Sequence, residues 1–237
     1  MNKQFRNVDV NLCNLHVRKA ENDGEESRKI AGSAVVFGVR SINLTPWSSY
    51  REVYEVIEPG AISQELIDRS DIVLTYEHDF KDVLGASVNG KGTLRCVLGE
   101  KSLDIECDLG HSQAAVDALD RVNRGDVRSM SFAYTCDEND SENGVSYEKL
   151  QERNENGKQV WLRHVKKITG LYDVTICHRP CYTDTSVETR SANEAIEKKI
   201  DDILNTRSQE DDAKEAFEIE QAELRHQMFL LQRGIRR

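Results

Sequence analysis

The residues able to do chemistry in this chain sit in three short, strand-like runs. Tyr76-Glu-His-Asp-Phe80 sets His78 at the end of an apolar run, just before Val83-Leu-Gly85 resumes it. A strand would hold that imidazole while a loop left it open. Arg128-Ser-Met-Ser-Phe-Ala-Tyr134 places Ser129 and Ser131 two apart, hence on one strand face, with Met130, Phe132 and Tyr134 on the other. Leu171-Tyr-Asp-Val-Thr-Ile176 carries Asp173 inside an apolar run, where a carboxylate needs either a partner or the solvent face. A hydroxyl, an imidazole and a carboxylate are the parts of nucleophilic catalysis, with Ser131 as the candidate nucleophile. Taken singly, each also reads as an ordinary strand or surface residue.

A second grouping, Cys177-His178-x-x-Cys181 with His164 upstream, offers zinc-type ligands. Its spacing fits no strong zinc template, and neighbouring side chains on a regular strand point to opposite faces. There is no Gly-rich phosphate loop and no His-Glu-x-x-His pair. No cofactor and no metal are therefore expected.

The elements that must position these groups are mostly strands. Val8, Val10 and Leu12 alternate with polar residues as in a half-buried strand. Residues 30–38, 53–57 and 71–78 are β-branched or aromatic runs bounded by turn residues. Asn89-Gly90 and Lys91-Gly92 between apolar alternations predict a hairpin, followed by strands at 93–98 and 102–108. One stretch differs: Ser112–Asn123 puts Ala115, Val116, Leu119 and Val122 at helical spacing behind a Ser cap and ends at Gly125. Further strands are expected at 128–135, 160–168 and 171–177, with the polar segment 137–158 as an exposed loop or hairpin. Crossover helices do not alternate with the strands, so the expected fold is mainly β with peripheral helices (α+β), its antiparallel core closing into a barrel or sandwich.

From Ser191 the pattern turns helical, with Ile196, Ile200 and Ile203 on one stripe and Phe217, Leu224, Met228 and Leu231 on a second. The expected division is a β-rich domain at 1–190 and a charged helical extension at 191–237. In 237 residues, 32 basic against 42 acidic side chains give a net charge of −10. That balance and the absence of a basic patch argue against nucleic acid as a partner. No apolar run reaches the length of a membrane span, and the first residues lack a signal peptide's apolar stretch, so a cytosolic protein is expected. In a reducing cytosol the six cysteines are expected as thiols.

In combination and in this order, the segments resemble the prohead maturation proteases of tailed bacteriophages, serine proteases related in fold to the herpesvirus assemblins. Gly32-Ser-Ala-Val-Val-Phe-Gly38 is similar to that family's opening strand, and Arg51–Ala61, with Glu58-Pro-Gly-Ala61, to its E-x-I-x-P-G-A-F segment. Leu74–Asp79 with Val83-Leu-Gly85 resembles the motif carrying the family's histidine. Gly125–Tyr134 resembles the motif carrying its serine, which falls on Ser131 rather than Ser129. Leu171-Tyr-Asp-Val-Thr, followed by Arg179-Pro-Cys-Tyr, is similar to the closing motif. Glu77, Ala133, Asp173 and Cys181 depart from the pattern, where Asn, Gly, Glu and Ala are usual.

The resemblance spans about residues 28–190. It implies an assemblin-like, barrel-type core and acyl transfer to Ser131. His78 would be the base, and Asp173, or else Asp79, would orient the imidazole. Backbone N–H groups or Arg128 are candidate oxyanion donors. The implied substrates are scaffold protein, extensions of the major capsid protein and the protease itself, inside the assembling prohead in the host cytoplasm. The resemblance also implies a homodimer or higher self-association, and a tail removed by self-cleavage. Two other readings remain at this point: a non-enzymatic structural or scaffolding protein with a helical assembly tail, and a cysteine hydrolase using Cys177 or Cys181 with His164 or His178.

Overall fold

The computed structural model describes residues 3–19, 27–45, 48–178 and 194–206. The chain divides into two units, Met1–Asn193 and Glu194–Arg237. In the second, residues 194–206 are helical. The stripe expected at Phe217, Leu224, Met228 and Leu231 lies outside the described residues.

The first unit is mainly β. Its strands are β1 (Gln4–Val8), β2 (His16–Val17), β3 (Lys29–Val36), β4 (Arg51–Ile57), β5 (Asp71–Tyr76), β6 (Gly85–Val88), β7 (Lys91–Gly92), β8 (Leu94–Leu98), β9 (Ser102–Asp108), β10 (Ser129–Cys136), β11 (Val145–Arg153), β12 (Gln159–Val165) and β13 (Ile168–Cys177). Its helices are α1 (Val10–Cys13), α2 (Gln64–Arg69) and α3 (Gln113–Arg124). The strands form three sheets, ordered β1-β10-β13-β5-β6-β7, β11-β12-β4 and β2-β3-β9-β8.

The closed, antiparallel barrel expected from the sequence is not found: no sheet among the described residues returns to its own first strand. Two pairings, β13 with β5 and β12 with β4, are parallel. Each joins segments about a hundred residues apart, so no local crossover pattern announces it. The first run also differs from the expected strand. Asp9 accepts a bond from Asn11 N at 2.8 Å, turning Val10–Cys13 into one helical turn that ends at left-handed Asn14 (φ 46°).

The hairpin forms as its residues dictate. Asn89 (φ 50°) and Gly90 (φ 74°) supply the two positive-φ positions of a tight turn. In α3, Ser112 Oγ accepts from Ala115 N at 3.3 Å, and Gly125 (φ 77°) closes the last turn. Ala115, Ala118 and Val122 are its buried positions, whereas Val116, expected on the apolar stripe, is 41% exposed. The segment 137–158, expected as an exposed loop or hairpin, forms a hairpin: its β11 pairs with β12, the strand expected from Val160, which is buried through Val160–Arg163.

The central sheet's inner face presents Met130, Phe132 and Tyr134 of β10, Val174 and Ile176 of β13, and Ile72 and Leu74 of β5 to one apolar core. Each such side chain contributes about 1.5–3 kcal/mol by leaving water. Set into this region is a buried polar network. Arg6 (β1) donates twice to Glu55 (β4), from Nε at 2.9 Å and from Nη2 at 3.0 Å. Arg163 (β12) also pairs with Glu55 and with Glu138, and Tyr134 Oη donates to Glu55 at 2.9 Å. Burial would raise the Glu55 carboxyl, but the charges of Arg6 and Arg163 outweigh it and hold Glu55 below its ordinary value. The network thus bolts β1 and the back of β10 to the sheet containing β4 and β12.

Candidate active site

Ser131 lies in the middle of β10, whose neighbours are β1 and β13. On β13, Thr175 stands opposite Ser131 and Asp173 opposite Ala133, so Ser131, Asp173 and Thr175 share the sheet face turned away from Phe132 and Val174. This face is not the solvent-facing one its serines suggested: Ser129 and Asp173 are fully buried, and Ser131 is 1% exposed. His78 comes from the turn after β5, the parallel neighbour of β13.

That turn has a special backbone. Glu77 (φ 52°) and His78 (φ 58°) are both left-handed, a conformation costing non-glycine residues roughly 1–2 kcal/mol each. Three bonds to the end of β13 hold them. Glu77 N donates to Ile176 O at 3.1 Å, His78 N to Thr175 Oγ1 at 3.0 Å, and His178 N to Glu77 Oε1 at 2.8 Å. Thr175 Oγ1 in turn donates to Thr75 O at 2.9 Å, so one hydroxyl ties β5, β13 and the histidine together.

The result is a continuous polar line. His78 Nε2 is 2.8 Å from Ser131 Oγ, and His78 Nδ1 is 3.1 and 3.0 Å from the two Asp173 oxygens. With Nδ1–H donating to the Asp173 carboxylate, the Nε2 lone pair faces the serine hydroxyl and accepts from it. The imidazole keeps 19% exposure while Asp173 has none. The Phe5 ring, on β1, completes its setting in a T-shaped contact, with ring centroids 4.8 Å apart and planes at 76°.

The other candidates are placed elsewhere. Asp79 accepts from Lys81 N at 2.9 Å and takes part in the turn, not in the imidazole contact. Arg128 is exposed just before β10. His164 Nδ1 is 2.6 Å from Glu58 on a different sheet, and His178 Nδ1 is 2.5 Å from Asp126 O. Cys177 is buried and Cys181 lies outside the described residues. Among the described residues no group of three or more His, Cys, Asp or Glu could hold a metal ion. Burial raises the Cys13, Cys96 and Cys136 thiols to about 11 and Cys107 to about 12, far from the thiolate a cysteine nucleophile needs.

Thr175 and Phe5 were not singled out from the sequence. Thr175 could have been, since it lies two residues from Asp173 on the same strand face. Phe5 carries no local signal, because only the pairing of the first strand with β10 brings it to His78.

A hydroxyl, an imidazole and a buried carboxylate in this succession form the arrangement through which serine hydrolases transfer acyl groups. The chain belongs to the caudovirus prohead serine protease family, whose sequence profile matches residues 13–199. It is thus a serine peptidase of the prohead-maturation class. The match begins earlier and ends later than the segments that carried the resemblance. No curated protein and no solved structure matches the chain. No helix among the described residues is long and apolar enough to cross a membrane.

Proposed function

We propose that Ser131, His78 and Asp173 are the catalytic triad of an endopeptidase that cuts scaffold protein, capsid-protein extensions and its own chain during prohead maturation in the host cytoplasm. The observation that supports this reading is the line of hydrogen bonds from Ser131 Oγ through His78 to Asp173, in a chain of this family. Ser131 Oγ attacks the scissile carbonyl carbon while His78 Nε2 takes its proton. The imidazolium then protonates the leaving amine as the C–N bond breaks, giving an acyl-serine. Water, deprotonated by the same nitrogen, releases the acid. Asp173 holds the Nδ1–H tautomer and stabilises the imidazolium throughout.

The same reading assigns an assemblin-like core to residues 1–190, and self-association to the active form. It makes 191–237 an extension lost by self-cleavage. The test is to co-express wild type or Ser131→Ala with capsid and scaffold proteins and weigh all chains intact by mass spectrometry. Truncations in the wild type that vanish in Ser131→Ala are expected. Equal truncation in both would overturn the assignment of the nucleophile, and no truncation in either would favour a structural role.

A further inference from the structure

We infer that the N-terminal strand β1, most of all Phe5, is a positioning element of the catalytic centre; this rests on the triad proposed above. The strand lies ahead of the family-matched span, which begins at residue 13, yet it is the outer neighbour of the strand carrying Ser131. Without β1, β10 would become a sheet edge with unpaired backbone groups. Asn7 stands directly opposite Ser131 and Phe5 opposite Ala133, so both side chains rise on the face where the triad sits.

Four contacts fix the strand there. The Phe5 ring packs on the His78 imidazole in a T-shaped contact, centroids 4.8 Å apart. Ser129 Oγ donates to Val8 O at 2.8 Å. Lys3 Nζ lies 4.4 Å from the Tyr172 ring centroid and 5.7 Å from that of Phe80, joining the strand bearing Asp173 to the loop after His78. On the opposite face, Arg6 is anchored in the buried network by its two hydrogen bonds to Glu55. His78 is otherwise held by a two-residue left-handed turn and by bonds along its ring plane to Ser131 and Asp173. Displacement of the ring from that line is what the packed Phe5 ring opposes.

The experiment compares full-length wild type, Phe5→Ala, Phe5→Tyr and Ser131→Ala. Each is reacted with a fluorophosphonate, and the rate of adduct formation is resolved into a limiting rate and a half-saturating concentration. In parallel, proton NMR follows the far-downfield resonance of the His78 Nδ1–H bonded to Asp173. Phe5→Ala is expected to lower the limiting rate about tenfold, as a loosened catalytic group does, with the half-saturating concentration unchanged. Its resonance should broaden by exchange with water, and Phe5→Tyr, which keeps the ring, should restore both. If Phe5→Ala does not fold, Phe5→Leu carries the same comparison.

A wild-type rate and an unaltered resonance in the truncated side chain would overturn the inference. So would faster labelling after deletion of residues 3–8, which would make the strand a cover rather than a support. If wild type labels no faster than Ser131→Ala, the nucleophile assignment fails instead, and the resonance still decides whether Phe5 holds the ring.

Discussion

Replacing Glu55 by glutamine removes the single carboxylate shared by two buried guanidinium groups and a buried phenol. Glu55 is 2% exposed, Arg6 5%, and Arg163 not at all. Glutamine keeps the shape but turns an N–H donor toward groups that are themselves donors, and takes the shared carboxylate from two buried guanidinium groups, of which Arg163 keeps Glu138. Breaking a buried pair in this way costs about 3–5 kcal/mol. For a unit of this size each kcal/mol moves the midpoint by about 2–4 °C, so Tm should fall by roughly 6–20 °C. The assay is thermal and denaturant unfolding of both proteins at neutral pH and through the acid range. Because the folded Glu55 is held below its ordinary value of 4.5, its contribution is fully present above that pH and is lost as pH falls through the folded value. Arg6 and Arg163 are raised and stay charged throughout. The gap between wild type and variant should therefore be widest at neutral pH and close in acid. A gap under about 1 kcal/mol at pH 7, the size of an ordinary surface change, would refute the argument. So would a gap that does not narrow in acid.

Three further outcomes follow from named contacts. Asp173→Asn should keep the fold yet lower Ser131-dependent cleavage by about 10⁴-fold, because an amide favours the wrong imidazole tautomer; the check is cleavage rate beside a melting curve. Ser129→Ala should cost about 1 kcal/mol in denaturant unfolding, since its hydroxyl donates to Val8 O in β1. Gly85→Ala should destabilise by about 1–3 kcal/mol, because the added Cβ would lie 2.3 Å from Cys107 Sγ. The double variant with Cys107→Ala should recover part of that loss, measured in the same unfolding assay.

The strand rhythm, the Asn89-Gly90 hairpin and the Ser112-capped helix were legible because each rests on local chemistry: period-two alternation, a turn needing positive φ, and a capping hydroxyl. The shared face of Ser129 and Ser131 was legible for the same reason. Its burial was not, because small polar residues on a strand read as solvent-facing when nothing local tells what packs above them. The Arg6–Glu55–Arg163 network was hidden on the same grounds. In Arg51–Ile57 one face carries Arg51, Val53, Glu55 and Ile57 and the other Glu52, Tyr54 and Val56, so both mix charged and apolar residues and neither declares itself buried. Only the meeting of two sheets, β1 and β10 from one and β4 and β12 from the other, makes Glu55 the shared acceptor. Parallel pairing of β5 with β13 was equally non-local, and it is what brings His78 to Asp173. The left-handed turn at Glu77 and His78 had little sequence signal either, since of the two only histidine is enriched in that conformation and no glycine stands there.

The most direct test of the proposed chemistry is to expose the full-length protein, co-expressed with its capsid protein, to a fluorophosphonate and map the adduct by peptide mass spectrometry. A single adduct on Ser131, abolished in His78→Ala while that variant remains folded, is the predicted result. An adduct on another residue, or undiminished labelling of Ser131 without the imidazole, would contradict it.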